Sequence, residues 1–160
     1  MKKFISILAV AVLIFAVSSC DKKNKGPKLD PKNYVAGKVF EGETMIDGVK
    51  VFHTMTFQEQ KFTGKMKGAK GVEGQDGYQS VEVDFFGFYT VQGNRLTLTV
   101  ERVVSLLVAY VDGEKQEVRE EERPKKGEKG SVVEIVIDEQ KGTLTWIDPE
   151  DQTTYVLRKK

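Results

Sequence analysis

Apolar and polar residues alternate at every second position over much of the chain beyond residue 34. Val81, Val83 and Phe85 alternate with Glu82 and Asp84. Leu96, Leu98 and Val100 alternate in the same way with Arg95, Thr97 and Thr99. A period of two puts one face of a strand in the core and the other in water. Gly93-Asn94 separates the two runs, so residues 81–100 predict two long strands joined by a tight hairpin. Gly87 interrupts the first run and predicts a bulge or sharp bend.

The same reading extends along the chain. Tyr34–Glu41 predicts a first strand and Glu43–Gly48 a turn that closes on Asp47-Gly48. Val49, Val51, His53, Met55 and Phe57 share one face of the next strand. After a turn near Glu59-Gln60-Lys61, Phe62 and Met66 mark a short strand. Gly64, Gly68, Gly71, Gly74 and Gly77 then predict a flexible connection or weak edge over residues 65–77. Val103–Val111 is apolar on both faces. Val103, Leu106, Leu107, Tyr110 and Val111 would fit a helical stripe, but the β-branched content and the hairpin dipeptide Asp112-Gly113 favour a strand. A polar run, Glu114–Glu122, follows, and Glu120–Gly130 predicts a charged, solvated loop. Val133, Ile135 and Ile137, then Leu144 and Trp146, then residues 153–158 complete three short strands, with turns at Lys141-Gly142 and around Pro149. About eight to ten strands at hairpin spacing predict an all-β fold. An antiparallel up-and-down β-barrel is favoured, because closure removes exposed edges.

The first residues follow a different logic. Met1-Lys2-Lys3 is a basic start and Phe4–Val17 an apolar run, the layout of a secretory signal peptide. As a permanent span it is short of the roughly 20 apolar residues a membrane requires. Val17-Ser18-Ser19-Cys20 resembles the lipobox of bacterial lipoproteins. That resemblance implies cleavage before Cys20, a diacylglyceryl group on its sulfur and an acyl chain of the palmitate kind on its new amine. Two or more chains anchor a protein stably where one does not. An ordinary signal peptide with an incidental cysteine is the plainer account, but the chain has no other cysteine. Residues 21–32 are charged and carry two prolines, too polar to order themselves. The expected organisation is a leader over 1–19, a lipidated Cys20 with a flexible tether to residue 33, and a barrel domain over 34–160. The expected address is the bacterial cell envelope, at the outer membrane in preference to the inner; Asp21 does not fix the leaflet.

Composition narrows the function. The formal net charge is +1, and −1 once Lys2 and Lys3 leave with the leader. A near-neutral body offers no clustered basic face for nucleic acid. One histidine excludes a multi-histidine metal site, and one cysteine excludes an internal disulfide. There is no phosphate-binding glycine loop and no EF-hand spacing. Asp148, Glu150 and Asp151 read as turn residues around Pro149. No cofactor and no enzymatic activity are expected. His53 lies on an apolar strand face. It is either a hydrogen-bonded interior histidine or a polar anchor inside a pocket. Phe85, Trp146 and Tyr155 are the aromatic residues that would line such a pocket, and each would equally serve as core.

Three stretches carry a family resemblance: Phe88-Tyr-Thr-Val-Gln-Gly-Asn-Arg-Leu-Thr-Leu-Thr99, Gly142-Thr-Leu-Thr-Trp146 and Thr154-Tyr-Val-Leu-Arg-Lys159. Together they resemble small lipocalin-like bacterial lipoproteins. The resemblance implies a calycin-like barrel with an internal cavity and no catalytic residues. Lipocalins carry Gly-x-Trp in their first strand, whereas this chain has Gly37-Lys38-Val39. The expected function is a lipid-anchored barrel that takes a small apolar ligand or lipid, with His53 or Tyr155 orienting it. The alternative is a protein-interaction or envelope-assembly module whose barrel is filled by its own side chains. Neither reading specifies an oligomeric state.

Overall fold

Nine antiparallel strands form one continuous sheet: β1 (Val39–Ile46), β2 (Val49–Gln58), β3 (Lys61–Lys70), β4 (Gln79–Gln92), β5 (Arg95–Val111), β6 (Glu114–Glu122), β7 (Ser131–Asp138), β8 (Thr143–Ile147) and β9 (Thr154–Lys159). The structure, a computed structural model, describes residues 34–125, 130–149 and 152–160. The expected leader, Cys20 and the tether lie outside the described residues, as do Glu150 and Asp151.

Eight of the strands close into an up-and-down barrel. Neighbours pair in chain order from β1 to β5, then β5 with β7, β7 with β8, β8 with β9, and β9 back with β1. The ninth strand, β6, pairs with β5 alone among the described residues. Closure satisfies the backbone groups that a flat sheet would leave at its edges.

The expected hairpin at Gly93-Asn94 is present, with Gln92 opposite Arg95 and Gly93 at φ +60°. The expected bulge is present too. Phe86 faces Arg102 but Gly87 faces Val100, so Glu101 is the extra residue on β5. At this point β5 exchanges β7 for β6 as the neighbour on its second edge. Arg95–Val100 pairs with β7 and Val103–Val111 with β6. A Cβ at Gly87 would overlap the Thr99 carbonyl oxygen, and one at Gly130 would overlap that of Val100. Residues 103–111 are strand, not helix, and Asp112 (φ +54°) with Gly113 (φ +77°) makes the two-residue turn into β6.

Four local expectations are corrected. Tyr34–Lys38 is a turn, not strand; the Gly37 amide donates to the Phe57 carbonyl, and fully buried Val35 caps the core at that end. The first strand therefore begins at Val39 and runs through Glu43–Ile46, where the sequence predicts a turn. Residues 65–70 are not a loose connection or an edge but the second half of β3, paired with β4 throughout and with β2 as far as Gly68. Gly64 and Gly68 face inward there, where Phe85 packs over the first and Val49 and Val51 over the second. The expected charged loop over 120–130 begins later, because Glu120–Glu122 belongs to β6.

The barrel has two unlike ends. The near end carries the turns at 59–60, 93–94 and 139–142, and its interior is packed by Phe40, Phe57, Phe62, Leu96, Ile135 and Leu157. The far end carries the turns at 47–48 and 112–113, the end of β8 and the start of β9, and a smaller cluster of Ile46, Val49, Val51 and Tyr155. On the outer wall, Lys65 sits between Glu82 (2.6 Å) and Asp84 (3.4 Å), which is the wet face expected of β4. Exposed pairs of this kind contribute little, about 0–1 kcal/mol.

Gly87→Val should lower the unfolding free energy by about 3 kcal/mol, because neither the Thr99 backbone nor the bulge can yield. Gly113→Ala, in open space at positive φ, should cost only about 1 kcal/mol. Urea denaturation of the two variants against the parent checks the difference.

Candidate functional site: an aromatic cage around His53

His53 is buried in the core, 3% exposed, and among the described residues only it and Thr143 are buried polar or charged residues. It reaches the interior because β2 alternates, with Val49, Val51 and Phe57 buried on the same face. In the ladder it stands opposite Met66 of β3 on one side and Gly42 of β1 on the other. Gly42 has no side chain to fill the interior, and a Cβ there would press on Leu157 Cδ2 at 2.7 Å. The ring of His53 thus meets residues of β8 and β9 across the top of β1.

Those residues are Trp146 and Tyr155, directly opposite each other in the β8–β9 ladder. Their rings stack at 4.8 Å with 5° between planes. His53 stands edge-on to both, 5.2 Å from Tyr155 and 6.4 Å from Trp146. Edge-to-face contacts suit the electropositive ring edge and the electronegative ring face. Ile46, Val49, Val51 and Met66 complete the apolar surround.

Burial pushes the pKa of His53 down to about 4 from an ordinary 6.5, with no compensating carboxylate. The imidazole is therefore neutral at pH 7. Its Nε2 is buried and has no hydrogen-bond partner among the described residues. Such an atom costs about 1–3 kcal/mol relative to a satisfied one. The cage therefore encloses one imidazole nitrogen without a hydrogen-bond partner among the described residues.

Three of the four aromatic and imidazole residues singled out from sequence, His53, Trp146 and Tyr155, come together here. The fourth, Phe85, does not; it packs in the main core beside Val103 and over Gly64. Ile46 and Met66 were missed as cage residues. The alternation Phe40, Gly42, Thr44, Ile46 carried the signal for the first, but glycine at its second position hid it.

The backbone around the cage is the least closed part of the barrel. β9 pairs with β1 only at Phe40–Lys159 and Glu41–Arg158, so Glu43–Ile46 passes Thr154–Val156 without ladder bonds. The β5–β7 ladder ends at Val100–Ser131, where β7 begins. Both ladders end toward the far end. A separate groove of about 940 Å³ runs on the outer wall at the Gly87 bulge, with Lys61, Arg102 and Arg123 around Phe86 and Phe88. Two of its cations are already engaged: Arg102 lies 3.9 Å over the Phe86 ring, and Arg123 pairs with Glu121 at 2.7 Å. No group of residues with metal-ligand spacing occurs among the described residues.

Compared with family models, curated proteins and solved structures, the chain matches none.

Because His53 takes a proton more readily unfolded than folded, the unfolded state gains protons as pH falls from about 6.5 toward 4, and stability drops over that window. The difference in stability between the parent and His53→Leu should therefore shift by up to about 3 kcal/mol between pH 7 and pH 4. Denaturation of both proteins at the two pH values isolates this contribution from the surface carboxylates, which titrate alike in each.

Proposed function

We propose that this chain is a non-enzymatic, lipid-anchored lipoprotein of the bacterial cell envelope whose barrel takes a small, mostly apolar ligand at the His53 end. One observation carries the ligand reading: the unpaired, buried Nε2 of His53 within the Trp146–Tyr155 cage. A ligand suited to this site presents an apolar body to Ile46, Val49, Val51 and Met66 and a single hydroxyl or protonated carboxyl to Nε2. Binding sites of this kind gain affinity from apolar burial and orientation from one or two polar groups. The filled near end restricts the ligand to the far half of the barrel, where the strand ladders are incomplete.

The anchor reading rests on the residues before the barrel. The basic start, the apolar run and Val17-Ser18-Ser19-Cys20 form one continuous signal. The resemblance to lipocalin-like lipoproteins agrees with the up-and-down barrel and with the absence of a catalytic arrangement in the sequence. The alternative interaction role draws support from a different feature, the half-buried apolar row Val104, Leu106, Val108 and Tyr110 on the outward face of β5.

Trp146 is the only tryptophan, so its emission reports on the cage directly. Titration of the purified protein with cis-parinaric acid should quench Trp146 and sensitise the probe, and His53→Phe should weaken binding about 2- to 10-fold, the worth of one hydrogen bond. Unchanged emission up to millimolar probe would sink the ligand reading.

The anchor is tested separately. Growth with an alkyne-tagged palmitate should label the protein, and Cys20→Ala should abolish the label and release the chain from the membrane fraction. Equal labelling of the two proteins would remove the anchor.

A further inference from the structure

The outer edge of β6 is unpaired among the described residues. We infer that this edge pairs with the same edge of a second copy of the chain, antiparallel and centred on Val118, to give a two-fold dimer. The charge pattern of the strand carries the inference.

The two-residue turn Asp112-Gly113 makes Val111 and Glu114 a hydrogen-bonded pair. The even positions of β6 therefore bond inward to β5, and the odd positions, Lys115, Glu117, Arg119 and Glu121, turn their amides and carbonyls to the free edge. The side chains of these four residues share the outward face of the sheet and alternate in sign. Placed antiparallel to itself about Val118, the strand sets Lys115 opposite Glu121 and Glu117 opposite Arg119, each twice by symmetry. All four are hydrogen-bonded pairs, so about eight backbone bonds form with them. Moving the register two residues either way sets Glu117 opposite Glu117, or Arg119 opposite Arg119 and Glu117 opposite Glu121. Cross-strand like charges are destabilising, so the neighbouring registers are repelled and the one about Val118 is selected.

The inward face supports the same register. Val118 is 50% exposed and lies opposite Leu107, itself opposite buried Val81. Self-pairing sets Val118 against its own copy and continues the apolar row Val81–Leu107–Val118 across the seam. Charged edge strands ordinarily discourage pairing; an alternating-sign edge discourages every partner except one with the reversed order. The barrel closes through β7, not β6, so adding a strand here leaves the barrel intact.

Val118 pairs with its copy at a non-hydrogen-bonded site, where Cα atoms stand about 4.5 Å apart, within the range a disulfide spans. Val118→Cys in the full chain should give a covalent dimer under mild diamide oxidation, well above the parent, whose one cysteine is Cys20. Lys115→Cys should not, because its two copies would lie about 20 Å apart along the seam. Sedimentation equilibrium gives a second readout that cysteine chemistry does not touch. E117R should shift the protein to monomer, and E117R/R119E should restore the dimer. Failure of V118C to cross-link, equal cross-linking by K115C, or a double charge swap that stays monomeric would overturn the inference.

Discussion

The fold turns on the backbone crowding around residues 99–101. Here β5 carries one residue more than β4, and two glycines let flanking backbone come within a distance that no side chain tolerates. Gly87 lies against Thr99 and Gly130 against Val100. A bulge increases local twist and bends its strand, and this one sits where a single 17-residue strand must serve two sheets. Before it, β5 is a barrel stave between β4 and β7. Beyond it, β5 remains bonded to β4 but takes β6 on its other edge. The barrel can close at one end and splay at the other because this junction redirects the strand without breaking it.

Most of this was legible where one face of a strand is consistently apolar. The Val81–Val100 hairpin, its turn and its bulge all follow from alternation and two glycines. The barrel topology follows from short turns and from the need to close an edge. Legibility failed where the inward face is not made of large apolar groups. β3 presents Phe62, Gly64, Met66 and Gly68 to the core, and two of those four positions look like loop residues until Phe85, Val49 and Val51 are seen filling the space above them. β1 hides in the same way behind Gly42. β6 has almost no apolar residue and is a strand because Asp112-Gly113 folds it back on β5; the turn supplies the order that hydrophobic burial does not.

The cage was only half legible for a related reason. Alternation put His53 on an inward face, and Trp146 and Tyr155 on inward faces of a later hairpin. Which inward faces meet depends on barrel closure, and the sequence pattern does not specify how β9 returns to β1. Phe85, indistinguishable from Trp146 on pattern alone, lands in the main core because Gly64 leaves it room there. The lone histidine was ambiguous between a satisfied interior group and an anchor. In the structure its Nε2 has no partner among the described residues, while burial keeps the ring neutral.

The two ends of the barrel then differ in kind as well as in packing. At the near end Val35 lies over the core, Tyr34 stands 6.5 Å from Phe40, and Lys38 sits 4.1 Å over the Tyr34 ring. The residues leading into β1 thus close the end from which the chain enters. Every incomplete ladder lies toward the opposite end, beside the cage and beside the free edge of β6. A polar atom without a partner is costly anywhere in a core, and it is least costly to reach where neighbouring strands are not bonded to each other. The same bulge that releases β6 from the barrel wall also ends the β5–β7 ladder. That local distortion thereby sets the edge available to a second copy, while the gap beside the cage comes from the short β1–β9 ladder.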